Sequence, residues 1–135
     1  MRHVGASIDT MTFDAADPIR LASFWRAALG FELADGADDD AAYLADPSGR
    51  TRGVFFQRVP EPKSAMNRVH LDLRPSGSMQ QEVERLRALG ATGDEFVEIS
   101  ASAVDGQSTF WTVMADPEGN EFCVLRGPAD GWVSS

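Results

Sequence analysis

DPIRLASFWRAALG, residues 17–30, reads as one complete helix with both of its ends marked. Asp17 is an N-cap, Pro18 occupies the first helical position, where its missing N–H costs nothing, and Gly30 supplies the C-terminal stop. SMQQEVERLRALG, residues 78–90, repeats the plan. Ser78 and Gln81 have the spacing of a capping box, and Met79, Val83, Leu86 and Leu89 fall on one stripe. Both helices end in Ala-Leu-Gly, with Gly30 and Gly90 sixty positions apart. The same offset lays residues 10–14 on residues 70–74, and both stretches alternate as half-buried strands do. Downstream, Ala45-Asp46-Pro47-Ser48-Gly49 is echoed by Ala115-Asp116-Pro117-Glu118-Gly119, each a turn between apolar segments and hence a hairpin.

These echoes predict a module of strand, helix and three strands, written twice. The first has strands near 4–13, 31–34, 41–45 and 52–59 around a helix over 17–29. The second has strands near 68–74, 95–100, 109–114 and 120–126 around a helix over 78–89. Residues 59–66 form a Pro-rich connector, and 128–135 are expected as a tail. The hairpin echo is offset by seventy rather than sixty, so the second module is longer, and the extra residues are assigned to the loop 101–108. The fold class is α+β, in one domain covering residues 1–135. Asp35–Asp40 reads as a solvated acidic loop, because it lacks the interleaved glycines of a calcium loop.

A chain of 135 residues buries enough surface to fold without a metal or disulfide. Its single cysteine, Cys123, excludes a disulfide framework and a Cys-rich zinc site, and suits a reducing cytoplasm. No apolar run approaches a membrane span, and the first residues lack the apolar core of a secretory signal. The net charge of −9 opposes binding to phosphate backbones, so nucleic acid is not an expected partner. The excess is concentrated in the second half, which favours a cationic ligand or simply a solvated face. No glycine-rich phosphate loop is present, and Cys123, with no histidine at a telling spacing, reads as an inert thiol.

Four motifs in order carry a resemblance: Asp17-Pro18 with Phe24-Trp25-Arg26-Ala27-Ala28-Leu29-Gly30; Phe56-Gln57-Arg58-Val59-Pro60-Glu61-Pro62-Lys63; Asn67-Arg68-Val69-His70-Leu71-Asp72-Leu73; and Asp116-Pro117-Glu118-Gly119-Asn120-Glu121-Phe122. Together they resemble the vicinal oxygen chelate superfamily, which contains glyoxalase I, bleomycin-resistance proteins and extradiol dioxygenases, and most of all its small glyoxalase-like proteins. The resemblance implies two tandem βαβββ modules curling their sheets around a shared cavity, with helices outside, and commonly a homodimer. Its metal-dependent members hold a divalent ion with one ligand from each of four strands, two per module. Here His70 and Glu121 match ligand positions, as metal donors or as catalytic groups. The position equivalent to His70 in the first module is Thr10, and Gln57 is the nearest polar candidate for the fourth donor. The implied ion is Mn, Fe, Ni or Zn.

His70 is open to three readings: a hydrogen-bonded residue of a cavity wall, a metal ligand, or an acid–base group without a metal. His3 lies too near the terminus to complete a metal set. Strand parity sends Arg68, His70, Asp72 and Arg74 to one face, where the arginines either clamp a carboxylate or phosphate or form an ion-paired rim. Thr10, Gln57, Arg68, Asp72 and Trp111 are the expected ligand-binding residues, with Trp111 in the apolar lining. Two functions follow. One is a protein that binds a small organic molecule with an incomplete metal site. The other is a metal-assisted lyase, isomerase or dioxygenase-type enzyme acting on a small oxygenated metabolite; glyoxalase I activity itself is disfavoured by Thr10.

Overall fold

The structure is a computed structural model, and it describes residues 5–99 and 109–134. His3 and the loop 101–108 lie outside the described residues. The chain divides into two compact units, Met1–Pro62 and Lys63–Ser135.

In the first unit β1 (Thr10–Ala15) leads into α1 (Pro18–Leu29), followed by β2 (Glu32–Leu33), β3 (Ala41–Ala45) and β4 (Gly53–Arg58). The sheet order is β1-β4-β3-β2, with β1 parallel to β4 and the other pairs antiparallel. The helix ends behave as the residues demand. The Asp17 carboxylate accepts from Arg20 N, and Gly30 closes the helix at φ 71°, donating to Arg26 O. Leu21, Trp25, Leu44, Val54 and Phe56 are each no more than 1% exposed and form the core on the α1 side. Phe13 packs tilted against Trp25 and Phe24 meets it edge-on, which accounts for the aromatic pair on this helix as core.

The second unit repeats the plan: β5 (Asp72–Leu73), α2 (Met79–Leu89), β6 (Thr92–Ile99), β7 (Thr109–Ala115) and β8 (Glu121–Leu125), in the order β5-β8-β7-β6. Ser78 caps α2 by accepting from Gln81 N. Leu86, Met114, Phe122 and Val124 fill its core, and the Thr112 hydroxyl reaches Met79 Sδ beneath the helix. The outcome is an α+β architecture of two mixed four-stranded sheets with two helices. Among the described residues, no helix is long and apolar enough to cross a membrane.

Several boundaries differ from the sequence reading, the first being the strand expected near 4–13, which runs instead over Thr10–Ala15, directly before the Asp17 cap of α1. The strand expected over 68–74 pairs with β8 only at Asp72–Leu73, and the Asn67 N–H before it bonds to the Glu121 side chain rather than to a ladder. The extra length of the second module lies partly in β6, which has eight residues where β2 has two. A bulge at Gly93, φ 87°, bends β6 as it leaves α2. The segment expected as a tail is tied down: a 3₁₀ turn, Pro128–Asp130, places the Asp130 carboxylate on Met79 N and Gly127 N. The Arg74 guanidinium lies 4.1 Å over the Trp132 ring.

Candidate functional site

Each sheet has one face under its helix and one turned away. In the second unit the parity of β7 and β8 buries Thr112, Met114, Phe122 and Val124 on the α2 side. Trp111, Val113, Glu121, Cys123 and Leu125 therefore share the opposite, open face. The register adds the edge strand to it, since Asp72 pairs with Cys123, Cys123 with Val113, and Trp111 with Leu125. Val97 and Glu95, opposite Trp111 and Val113, extend the face into β6. The result is an apolar patch around the half-buried Trp111, bordered by carboxylates.

At the β5 end three donors converge. His70 Nδ1 lies 3.6 Å from Asp72 Oδ1, too long for a hydrogen bond and an ion pair only when the imidazole is protonated. Cys123, 6% exposed, sits beside Asp72 in the register. One donor atom from each of His70, Asp72 and Cys123 lies within 4.8 Å of the others. Burial, reinforced by the Asp72 carboxylate, pushes the Cys123 thiol up to about 11, so in the metal-free protein it remains a protonated donor to Asp72. His70 and Asp72 are about half exposed, with side-chain accessibilities of 50% and 55%.

Glu121 is differently engaged. Its Oε1 accepts from Lys63 Nζ at 2.7 Å and its Oε2 from the backbone N–H of Asn67 at 2.7 Å. Lys63 also donates to the Ala65 carbonyl. The Lys63 ammonium, with the Asn67 N–H behind it, holds the Glu121 carboxyl below its usual range. Glu121 thus fastens the segment 63–67 to the start of β8. Both of its oxygens are committed, and His70, which the sequence reading brings into one space with it, instead has Asp72 as its partner.

In the first unit Asp14 and Gln57 are register partners on the open face, and Gln57 Nε2 donates to Asp14 Oδ1 at 2.8 Å. Thr10, the counterpart of His70, pairs with Gly53. Carried two residues back from Asp72 and Cys123, the β5–β8 register sets His70 opposite Glu121, so the counterpart of Glu121 is Gly53, which has no side chain to donate. A Cβ at Gly53 would meet Leu44 O at 1.7 Å, so no ligand-bearing residue fits there without moving β3. The four-strand donor set implied by the resemblance does not fit this chain: a threonine, a glycine, a histidine and a carboxylate already neutralised by lysine. Gln57 lies four residues beyond Gly53, occupied with Asp14.

Of the remaining sequence candidates, Arg68 is exposed. Arg74, its companion in the expected clamp, is used structurally: Nη1 donates to Arg126 O and the guanidinium stacks on Trp132. Partial desolvation, with Arg126 nearby, lowers its pKa from the ordinary value. Cys123 and Lys63 are not among the site residues that the sequence singles out. The signal for Cys123 is present in it, since the sixty-residue offset combined with strand parity puts it on the face of Asp72. Nothing local in the Pro-rich connector marks Lys63.

The fold and the ordered motifs define a protein of the vicinal oxygen chelate superfamily. The glyoxalase-like domain family matches residues 10–125, and the chain belongs to it. Among solved structures, a glyoxalase/bleomycin resistance protein/dioxygenase family enzyme from Burkholderia phytofirmans PsJN aligns with TM-score 0.69 at 17% identity, covering 89% of this chain and 98% of that one. A glyoxalase-related enzyme from Fulvimarina pelagi gives 0.65 at 16%, covering 96% and 97%. Lactoylglutathione lyase from Agrobacterium tumefaciens gives 0.62 at 15%, covering 96% and 100%. At such identities the likeness is one of fold. No protein of curated function matches the chain.

Proposed function

We propose that this glyoxalase-like protein binds a small organic molecule, preferentially a cation, on the open face of its second sheet. The observation that carries the reading is the state of Glu121: the carboxylate that would hold a four-strand metal is tied to Lys63 and Asn67, while Trp111, with Val97 opposite it and Glu95 two residues along β6, remains in position for a ligand. Trp111 offers an aromatic face for cation–π contact, and Val97, Val113 and Leu125 offer apolar area around it. The net charge of −9 favours a cation over an anion at the encounter stage.

Ligand-detected NMR with matched panels of small organic amines, quaternary ammonium ions and carboxylates tests the reading. Binding of the cationic panel, weakened on Trp111→Ala, is expected; preference for the carboxylates would overturn it. The resemblance further supports a homodimer as the solution form, which light scattering at twice 14.6 kDa would bear out and a 14.6 kDa particle would contradict.

A further inference from the structure

The first unit withholds its two donors and Glu121 is committed elsewhere, yet the second unit assembles a different set on its own. We propose that His70, Asp72 and Cys123 form a three-donor site for a zinc-class divalent ion, contained within the second unit. Two of the three donors, Asp72 and Cys123, lie outside the pattern implied by the resemblance, and the site stands independently of the organic ligand.

Geometry carries the proposal. A tetrahedral zinc with ligand bonds of about 2.0–2.3 Å places its donor atoms roughly 3.3–3.8 Å apart. His70 Nδ1 and Asp72 Oδ1 are already 3.6 Å apart, and all three donors fall within 4.8 Å, so a rotamer adjustment of the exposed His70 closes the set. Cys123 and Asp72 are fixed against each other by the β5–β8 register, which supplies two donors without a loop rearrangement. The third lies two residues before Asp72, on the same side of the chain. Imidazole, carboxylate and thiolate together select zinc or cobalt over magnesium, calcium or manganese, which prefer oxygen donors alone. On binding, the metal–sulfur bond forms as the thiol proton leaves for solvent, and no redox change occurs. Three protein ligands leave a fourth position for water or a ligand oxygen, the arrangement of a reactive rather than a purely structural zinc.

Cobalt(II) is the probe, because a cobalt–thiolate bond gives a near-ultraviolet charge-transfer band and the chain has a single cysteine to produce it. The full-length protein, stripped with EDTA and dialysed, is titrated with cobalt chloride in the absence of any organic ligand. The proposal expects the band to saturate at one equivalent and to vanish in Cys123→Ser and Cys123→Ala. It expects His70→Ala and Asp72→Asn, both at exposed positions, to weaken cobalt binding by about tenfold or more. Trp111→Phe and Glu121→Gln should leave the titration within about twofold, which separates this site from the organic-ligand surface and from a four-strand metal. Circular dichroism establishes that each variant is folded. Absence of the band, its persistence at unchanged affinity in His70→Ala and Asp72→Asn, or an equal loss in Glu121→Gln would each overturn the proposal.

Discussion

Replacing Lys63 by methionine keeps an unbranched apolar stem and removes its ammonium from Glu121. In the structure the two groups are 2.7 Å apart, with side chains 23% and 19% exposed, so the pair is neither a free surface bridge nor a fully buried one. A hydrogen bond to a charged group is worth about 1.5–3 kcal/mol, whereas exposed ion pairs contribute about 0–1 kcal/mol. The partial burial here sets the cost of Lys63→Met near about 1.5 kcal/mol, because Glu121 keeps the Asn67 N–H but loses its counter-charge. Glu121→Gln retains a carbonyl acceptor and should cost about 1 kcal/mol. Glu121→Ala abandons both donors and should cost about 2.5 kcal/mol. For a chain of this size the lysine variant should melt roughly 5 °C lower. Thermal melts by circular dichroism in excess EDTA are the assay, so that no metal contributes, and a Lys63→Met/Glu121→Gln double-mutant cycle isolates the pair. If Lys63→Met melts at the wild-type temperature in EDTA, the carboxylate is not being held by the lysine, and the argument that removes Glu121 from a metal shell fails.

Four further expectations follow from local geometry. With the Cys123 thiol pushed up from 9.0 to about 11, its thiolate at pH 8 is about a hundredfold scarcer than that of an unshifted thiol, so disulfide reagents should modify the folded, metal-free protein correspondingly slowly; modification at the rate of a free thiol would contradict this. Because that pKa is raised on folding, the associated stability is present below pH 9.0 and lost as pH rises toward 11, which alkaline melts of wild type against Cys123→Ala should register. Asp46 accepts from the Ser48 hydroxyl and from the Ser48 and Thr51 N–H groups, which lower its pKa below 3.8; an NMR titration of its carboxyl should find the midpoint there, the hairpin losing this support as pH falls through it and Asp46→Asn abolishing the effect. Gly53→Ala should cost about 3 kcal/mol or more in urea unfolding, since the backbone sits at φ 143° and the added Cβ would lie 1.7 Å from Leu44 O; a loss below about 1 kcal/mol would contradict the clash.

The repeat was legible because punctuation survives at the helix ends. Asp17, Gly30, Ser78 and Gly90 perform in the structure the capping roles that their chemistry announces. Parity was legible too: Phe122 and Val124 pack, while Glu121 and Cys123 face away from α2. Edge strands were less so, because alternation over 68–74 reflects which side chains meet water and not whether a neighbouring ladder accepts the backbone. Partnerships across the chain were the least legible. Lys63 and Glu121 are 58 positions apart, and Arg74 reaches the carbonyl of Arg126 across 52. Such pairs depend on how β5 and the segment before it lie along β8, a property of tertiary register that periodicity does not encode. The pairing of Gly53 with Thr10 belongs to the same class, since it needs the β1–β4 register before the missing donor becomes visible.

The central claim is that the open face of the second sheet, around Trp111 and Glu95, receives the ligand. Amide shift mapping of the uniformly nitrogen-15-labelled protein against the tightest-binding organic ammonium ion addresses it directly. The account predicts saturable shifts concentrated at residues 95–97, 111–113 and 124–125, lost in Trp111→Ala. Saturable shifts confined to the first unit, or shifts that persist unchanged in Trp111→Ala, would contradict it.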